Sequence, residues 1–428
     1  MAFHIHVIGL GVTDKAELSP TALQALQASA CVIGAERQLA VVKHLLNTQQ
    51  SQCLPPLKNL LALLETYREQ QQVVTVLASG DPLYYGIGRW FGRHYEAASL
   101  SFYPAVSSIQ AACHELGLSQ QDVTVISLHG RPVEKIRRHL KHGQTLVVLT
   151  DQHSTPAVLA DECIAAGFDQ STLWVCENLG YPEQCLQKFN VADLAAGQQR
   201  FAALHVSVIE LAGRGGVYAS FAGFNDGSFI TDSDAGRGMI TKREVRLAVL
   251  SLLQPAPKDV AWDIGAGCGG ISVEWAYWNE QGQVHAVEHH PERLACLEKN
   301  RQRFGVASNL SVLAGRAPEC LATMPAANKI FIGGSDGNLA ELLALCWQHL
   351  PEGGVLVASA VTEDSKMLLQ QFYRQRMLDH TAQTETMQLA ISRGGELAGQ
   401  LVYRPNLPVS LFKFLKRSSN SVLSGDQQ

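Results

Sequence analysis

Residues 260–278 admit few folds. Val260-Ala-Trp-Asp-Ile264 is an apolar run, Gly265-Ala-Gly-Cys-Gly269 follows at once, and Ile271-Ser-Val-Glu-Trp-Ala276 reads as a helix. A strand, a glycine turn and a helix in that order open a βαβ unit, with the turn at the carboxyl end of a parallel strand. Glycines at 265, 267 and 269 let the backbone bend sharply and approach a ligand that a Cβ would hold off. Further on, Gln283-Val-His-Ala-Val-Glu288 supplies a second strand ending in an acid. A carboxylate about 20 residues past such a turn can accept both hydroxyls of a ribose. The two signals together point to a nucleoside ligand.

Residues 265–270 also satisfy G-x-G-x-x-G, so an NAD-dependent oxidoreductase is one reading of this turn. Asp263 favours another. It gives the D-x-G-x-G-x-G form typical of S-adenosylmethionine (SAM) methyltransferases, and a carboxylate there suits the amino group of a methionine better than a pyrophosphate. Four more apolar runs, Val284 to Val287, Leu310 to Leu313, Lys329 to Ile332 and Val355 to Ala360, alternate with helical segments. That alternation predicts a parallel sheet with ligands at the strands' carboxyl ends. Arg316-Ala-Pro318 and Gly333-Gly-Ser-Asp-Gly337 fall at two of those ends, the first read as bordering the adenine and the second the reacting substrate. Ahead of them, Thr241 and Glu244 have the spacing of a capping box for a helix running to Leu253.

A chain of 428 residues is too long for one ordinary core. The boundary is expected in residues 213–237, rich in glycine, serine and acid without apolar periodicity, giving domains over 1–212 and 238–406. Residues 407–428 read as a mobile tail. The amino-terminal half is also α/β, with turns at strand ends: Gly9-Leu-Gly11, Ser79-Gly-Asp-Pro82 after the strand Val73 to Ala78, Ser107-Ser108, and Ser127-Leu-His-Gly-Arg131. Ser19-Pro20 has the form of a helix start.

A net charge of −5 argues against a phosphate-backbone partner, and so against an RNA methyltransferase. The 10 cysteines include no C-x-x-C, and the 15 histidines have no ligand spacing, so neither a metal site nor a disulfide framework is expected. No signal peptide or membrane span is read, and the location expected is the cytoplasm.

Gly9-Leu-Gly11, Ala78-Ser-Gly-Asp-Pro-Leu-Tyr-Tyr-Gly-Ile-Gly88, Pro104-Ala-Val-Ser-Ser108 and Ser127-Leu-His-Gly-Arg131 resemble the tetrapyrrole methylase family, in its precorrin branch. Residues 238–246, Trp262-Asp-Ile-Gly-Ala-Gly267, Gly315-Arg-Ala-Pro-Glu319, Phe331-Ile-Gly-Gly-Ser335 and Ala360-Val-Thr362 resemble the decarboxylating precorrin methyltransferases. The resemblance implies an amino-terminal tetrapyrrole methylase fold followed by a Rossmann-like class I SAM methyltransferase fold. It further implies two SAM molecules per chain, methylation of a precorrin-6B-type macrocycle at carbons 5 and 15, and loss of carbon dioxide from the ring-C acetate to give precorrin-8X in cobalamin biosynthesis.

Carried onto this sequence, the cofactor positions are Gly9, Gly11, Gly80, Asp81, Ser107 and Ser108 in the first half. In the second they are Thr241, Asp263, Gly265, Ala266, Gly267, Cys268, Gly269, Glu288 and Ala317. Cys268 stands where the family usually has a small hydroxyl residue. Substrate candidates are His129, Arg131, Arg243, Arg316, Gly333, Gly334 and Ser335, with Arg237 and Arg246 as further arginines for an acidic macrocycle. No nucleophilic serine or cysteine is expected, because alignment of an electrophilic methyl with an enamine-like carbon supplies most of the acceleration. The family also implies a homo-oligomer. A SAM-binding scaffold without activity is the non-enzymatic alternative.

Overall fold

A computed structural model of the chain describes residues 3–215, 221–233 and 238–417. Two compact units divide it: residues 1–133 with 139–215, and residues 216–428 together with Glu134–Arg138.

The first unit holds two five-stranded sheets. One is parallel, in the spatial order Gln50–Cys53, Cys31–Gly34, Val73–Ala78, His4–Gly9, Leu100–Tyr103. Ile5, Val7, Val74 and Val76 are buried in its core, the near-continuous apolar pattern of strands covered on both faces. Ser19 caps the helix Pro20–Ala28 through its side chain, with proline in the first turn. The other sheet is mixed. Val123–Ser127 runs parallel to Thr145–Leu149, and His205–Glu210, Thr172–Glu177 and Cys185–Asn190 continue it antiparallel.

The second unit is built on a seven-stranded sheet. Five strands are parallel, in the order Leu310–Ala314, Gln283–Glu288, Val260–Ile264, Lys329–Ile332, Val355–Ala360. Val409–Lys416 and Ala382–Leu389 then extend the sheet antiparallel. This corrects the expected tail from residue 407. Val409–Lys416 is an interior strand with a partner on each side, and Leu411 and Phe414 are fully buried. Residues 418–428 lie outside the described residues.

Two further expectations change here. Within residues 213–237, read as a linker, 221–233 packs into the second unit: Phe224 and Phe229 belong to its core, and Asn300 bonds both the N–H and the carbonyl of Ile230. Residues 216–220 and 234–237, Arg237 among them, lie outside the described residues. The capping box is also absent. The helix runs Arg243–Leu253 with Lys242 at its N-cap, and the Arg243 N–H is taken by Asp226 at 2.9 Å. A carboxylate from the preceding segment satisfies the helix start in place of the Thr241 hydroxyl. Asp226 can be buried there because Arg246, itself wholly buried, pairs with it at 2.6 Å and with Glu274 at 2.8 Å.

Candidate active sites

Each unit has a cleft at the carboxyl ends of its parallel strands. In the second unit the cleft holds about 390 Å³, and its wall combines Ile264, Gly265, Ala266 and Gly267 with Val287, Glu288, Gly315–Ala317, Gly333–Asp336 and the segment Gly238–Thr241. Gly265 and Gly267 have φ of +74° and +58°. A Cβ at Gly265 would stand 2.7 Å from Gly334 backbone atoms, and one at Gly267 2.6 Å from the Met239 carbonyl oxygen. These glycines are therefore required by chain segments meeting at the cleft floor as well as by their backbone conformation.

Glu288 reaches the wall from the adjacent strand end. Its Oε2 accepts the Gly267 N–H at 2.9 Å, and its Oε1 accepts the N–H groups of His289 and His290 at 2.9 Å each. One carboxylate thus pins the glycine turn and keeps a remaining lone pair for a ligand hydroxyl. Asp263 is placed differently from its expected role. It is 1% exposed, is absent from the wall, and accepts a hydrogen bond from the Ser272 hydroxyl. Burial raises its carboxyl to about 6. Cys268 is buried with its Sγ directed at Asp232, and neither it nor Gly269 lines the cleft. The departure from the family at position 268 therefore leaves the wall unchanged.

Of the described arginines proposed for this cleft, Arg316 alone lines it. Its guanidinium pairs with Asp336 and lies 3.4 Å from His289 Nε2. Arg243 pairs with Glu244 away from the wall, and Arg246 is consumed by the buried ion pairs.

The first unit's cleft is larger, about 940 Å³. Gly11, Gly80, Ser107, Ser108 and His129 line it. Gly11 and Gly80 bridge one another, and a Cβ on Gly9 would lie 2.5 Å from the Gly80 carbonyl, so Gly9 supports the crossing from outside the wall. Asp81 also stands outside it, its Oδ1 accepting the N–H groups of Leu83 and Tyr84. Ser107 caps the helix Ser108–Glu115, accepting the Gln110 N–H at 3.2 Å. Arg131 turns back to the Ser127 carbonyl at 3.0 Å and is not in the wall.

Residues outside the named site candidates are in this wall too: Tyr84 and Tyr85, which fall within the Ala78–Gly88 motif, Asp151 at a strand end, and Arg37, His153, Tyr181 and His205. Asp151 is held well below the usual carboxylate range by the N–H groups of Gly130 and His153 and by Ser154. Its position at the end of the strand Thr145–Leu149 was the available signal. Arg37 had none, since it lies outside the glycine and serine turns.

Fold and clefts together define two methyltransferase domains in one chain. Residues 4–195 match the family Tetrapyrrole (Corrin/Porphyrin) Methylases, and residues 233–416 match the Precorrin methyltransferase domain. The chain is 34% identical over 414 residues, 96% of its own length and 96% of the relative's, to a precorrin-6Y C(5,15)-methyltransferase [decarboxylating] of Sinorhizobium sp. It is 30% identical, over 96% of this chain and all of the relative, to the protein of the same description from Mycobacterium tuberculosis (strain CDC 1551 / Oshkosh). The chain belongs to the family of precorrin-6Y C(5,15)-methyltransferases (decarboxylating). A shorter relative from Methanothermobacter thermautotrophicus, described as a probable cobalt-precorrin-6B C(15)-methyltransferase (decarboxylating), is 32% identical over 171 residues, 40% of this chain and 86% of that one. Membership in a methyltransferase family leaves the oxidoreductase alternative without support.

Proposed function

We propose that the chain methylates a precorrin-6B-type macrocycle at carbons 5 and 15 and removes the ring-C acetate carboxyl as carbon dioxide, giving precorrin-8X, with a SAM site in each unit. The observation that carries this reading is the presence of two clefts, one per unit, each at the carboxyl ends of parallel strands beside left-handed glycines. When bound, SAM supplies an already electrophilic methyl group. The second cleft suits it: Glu288 for ribose hydroxyls, with Ile264, Val287, Ala317 and Leu342 as apolar walls for a purine.

What the chain contributes is position. Glu288 holds the Gly267 turn while accepting a ligand hydroxyl, and the Gly333–Ser335 turn across the floor from Gly265 seats the acetate-bearing ring. Arg316 offers a guanidinium to a macrocycle carboxylate, in exchange for Asp336. No thiolate attack is involved. Cys176, in the first cleft's wall, has its thiol pushed up to about 12 by burial, so it stays protonated at neutral pH. We assign carbon 15 and the decarboxylation to the second unit, because residues 233–416 match the Precorrin methyltransferase domain and their motifs resemble the decarboxylating precorrin methyltransferases.

Ten free cysteines and the absence of a described helix long and apolar enough to cross a membrane support a place in the cytoplasm. Assembly as a homo-oligomer follows the family. Isothermal titration of the full chain with SAM tests the stoichiometry. Two binding events per chain are expected; a single event, or binding of NAD instead, overturns the reading.

A further inference from the structure

Among the described residues, Arg37 is the one Lys or Arg in the wall of the first unit's cleft. Its guanidinium donates to the Tyr181 hydroxyl at 3.2 Å and to the Ser79 hydroxyl at 3.2 Å, both neutral partners. Among the described residues it has no ion pair. Asp151, the one acid in the same wall, is committed elsewhere: its Oδ1 accepts from His153 N, Ser154 N and the Ser154 hydroxyl, and its Oδ2 from Gly130 N. The contrast with the second cleft is direct, since there Arg316 is paired with Asp336.

A guanidinium has five N–H donors in a planar fork. The two hydroxyls take one donor from each terminal nitrogen, holding the fork at the cleft with donors to spare. A carboxylate brings a full negative charge and two oxygens that match the guanidinium fork, neither of which a hydroxyl offers, so an entering carboxylate competes well with the hydroxyls. We propose that Arg37 is the carboxylate-recognising residue of the first cleft, the role that the sequence motif had suggested for Arg131. The inference rests on the methyl transfer proposed above. Two molecules in that reaction carry carboxylates, the macrocycle on its acetate and propionate arms and SAM on its methionine moiety, and the experiment separates them.

The test uses the full chain with R37M and R37K, and with R68M as control, since Arg68 sits on a helix surface beside Glu65. KM and kcat are measured for the macrocycle and for its peripheral methyl ester, and affinity by calorimetry for SAM and for decarboxylated SAM. Loss of a charge-assisted pair predicts a roughly tenfold to hundredfold rise in one KM or Kd with kcat little changed, and R37K intermediate. The penalty should vanish on the probe lacking the recognised carboxyl: on the ester if Arg37 holds the macrocycle, on decarboxylated SAM if it holds the methyl donor. An unchanged R37M, or a penalty equal on acid and carboxyl-free probes, overturns the inference. Failure of the wild-type chain to bind SAM or turn over the macrocycle would instead count against the function proposed for it.

Discussion

Asp263 sits where burial works against its charge. Its carboxyl titrates at about 6 in the folded chain against an ordinary 3.8, because desolvation outweighs the hydrogen bond from Ser272. Between those values the unfolded chain has released its proton while the folded chain retains it, so stability is full below the ordinary value and declines as pH rises towards 6. The cost at neutral pH is roughly 3 kcal/mol. Asp263→Asn keeps an acceptor for Ser272 and removes the titration. Denaturant unfolding should therefore show the variant gaining on wild type by about that amount between about pH 4 and about pH 7; a difference independent of pH would contradict it. The same residue shows what a motif conceals. The aspartate of D-x-G-x-G-x-G is legible as a signature, yet its side chain braces the turn from beneath the wall, because a buried strand residue faces the core as readily as the ligand. Glu288, Gly265, Gly267, Ala317 and the Gly333–Ser335 turn were legible because strand ends converge in a parallel sheet. Arg37 was not, since its proximity to Ser79 and Tyr181 is made by the fold alone.

At the scale of elements, the strands Val73–Ala78, Val260–Ile264, Lys329–Ile332 and Val355–Ala360 stand where their apolar runs put them. Buried parallel strands write themselves as continuous apolar stretches, which is why they could be read. The antiparallel pair at the end could not. In Ala382–Leu389 polar residues outnumber apolar ones, and Val409–Lys416 carries lysines at 413 and 416. Only its partners on both sides reveal an interior strand. Lys416 bonds the carbonyls of Trp347 and Leu350, a use of charge that a tail-like sequence does not announce. Removing the chain from Val409 onward exposes the edges of Val355–Ala360 and Ala382–Leu389 and deletes Leu411, Phe412 and Phe414 from the core. Each such side chain contributes about 1.5–3 kcal/mol, a sum comparable with a domain's whole stability. The truncated chain should lose cooperative unfolding of the second unit, followed by tryptophan fluorescence. A transition at the wild-type midpoint would contradict the strand's role.

At the scale of the whole molecule, each unit has its own sheets, its own core and its own cleft, so the chain can carry two methyl transfers without a shared site. Decarboxylation is assigned to the second cleft. Gly267→Val separates it from the first: its Cβ would press on the Met239 carbonyl at 2.6 Å and its φ of +58° disfavours a branched residue, so the floor of that cleft alone is disturbed. Circular dichroism establishes that the variant is otherwise folded. The deciding measurement is mass spectrometry of the macrocycle after reaction with full-length Gly267→Val and SAM, using substrate labelled in the ring-C acetate carboxyl. The expected product bears one added methyl and retains the labelled carboxyl. Labelled carbon dioxide released at the wild-type rate would contradict it.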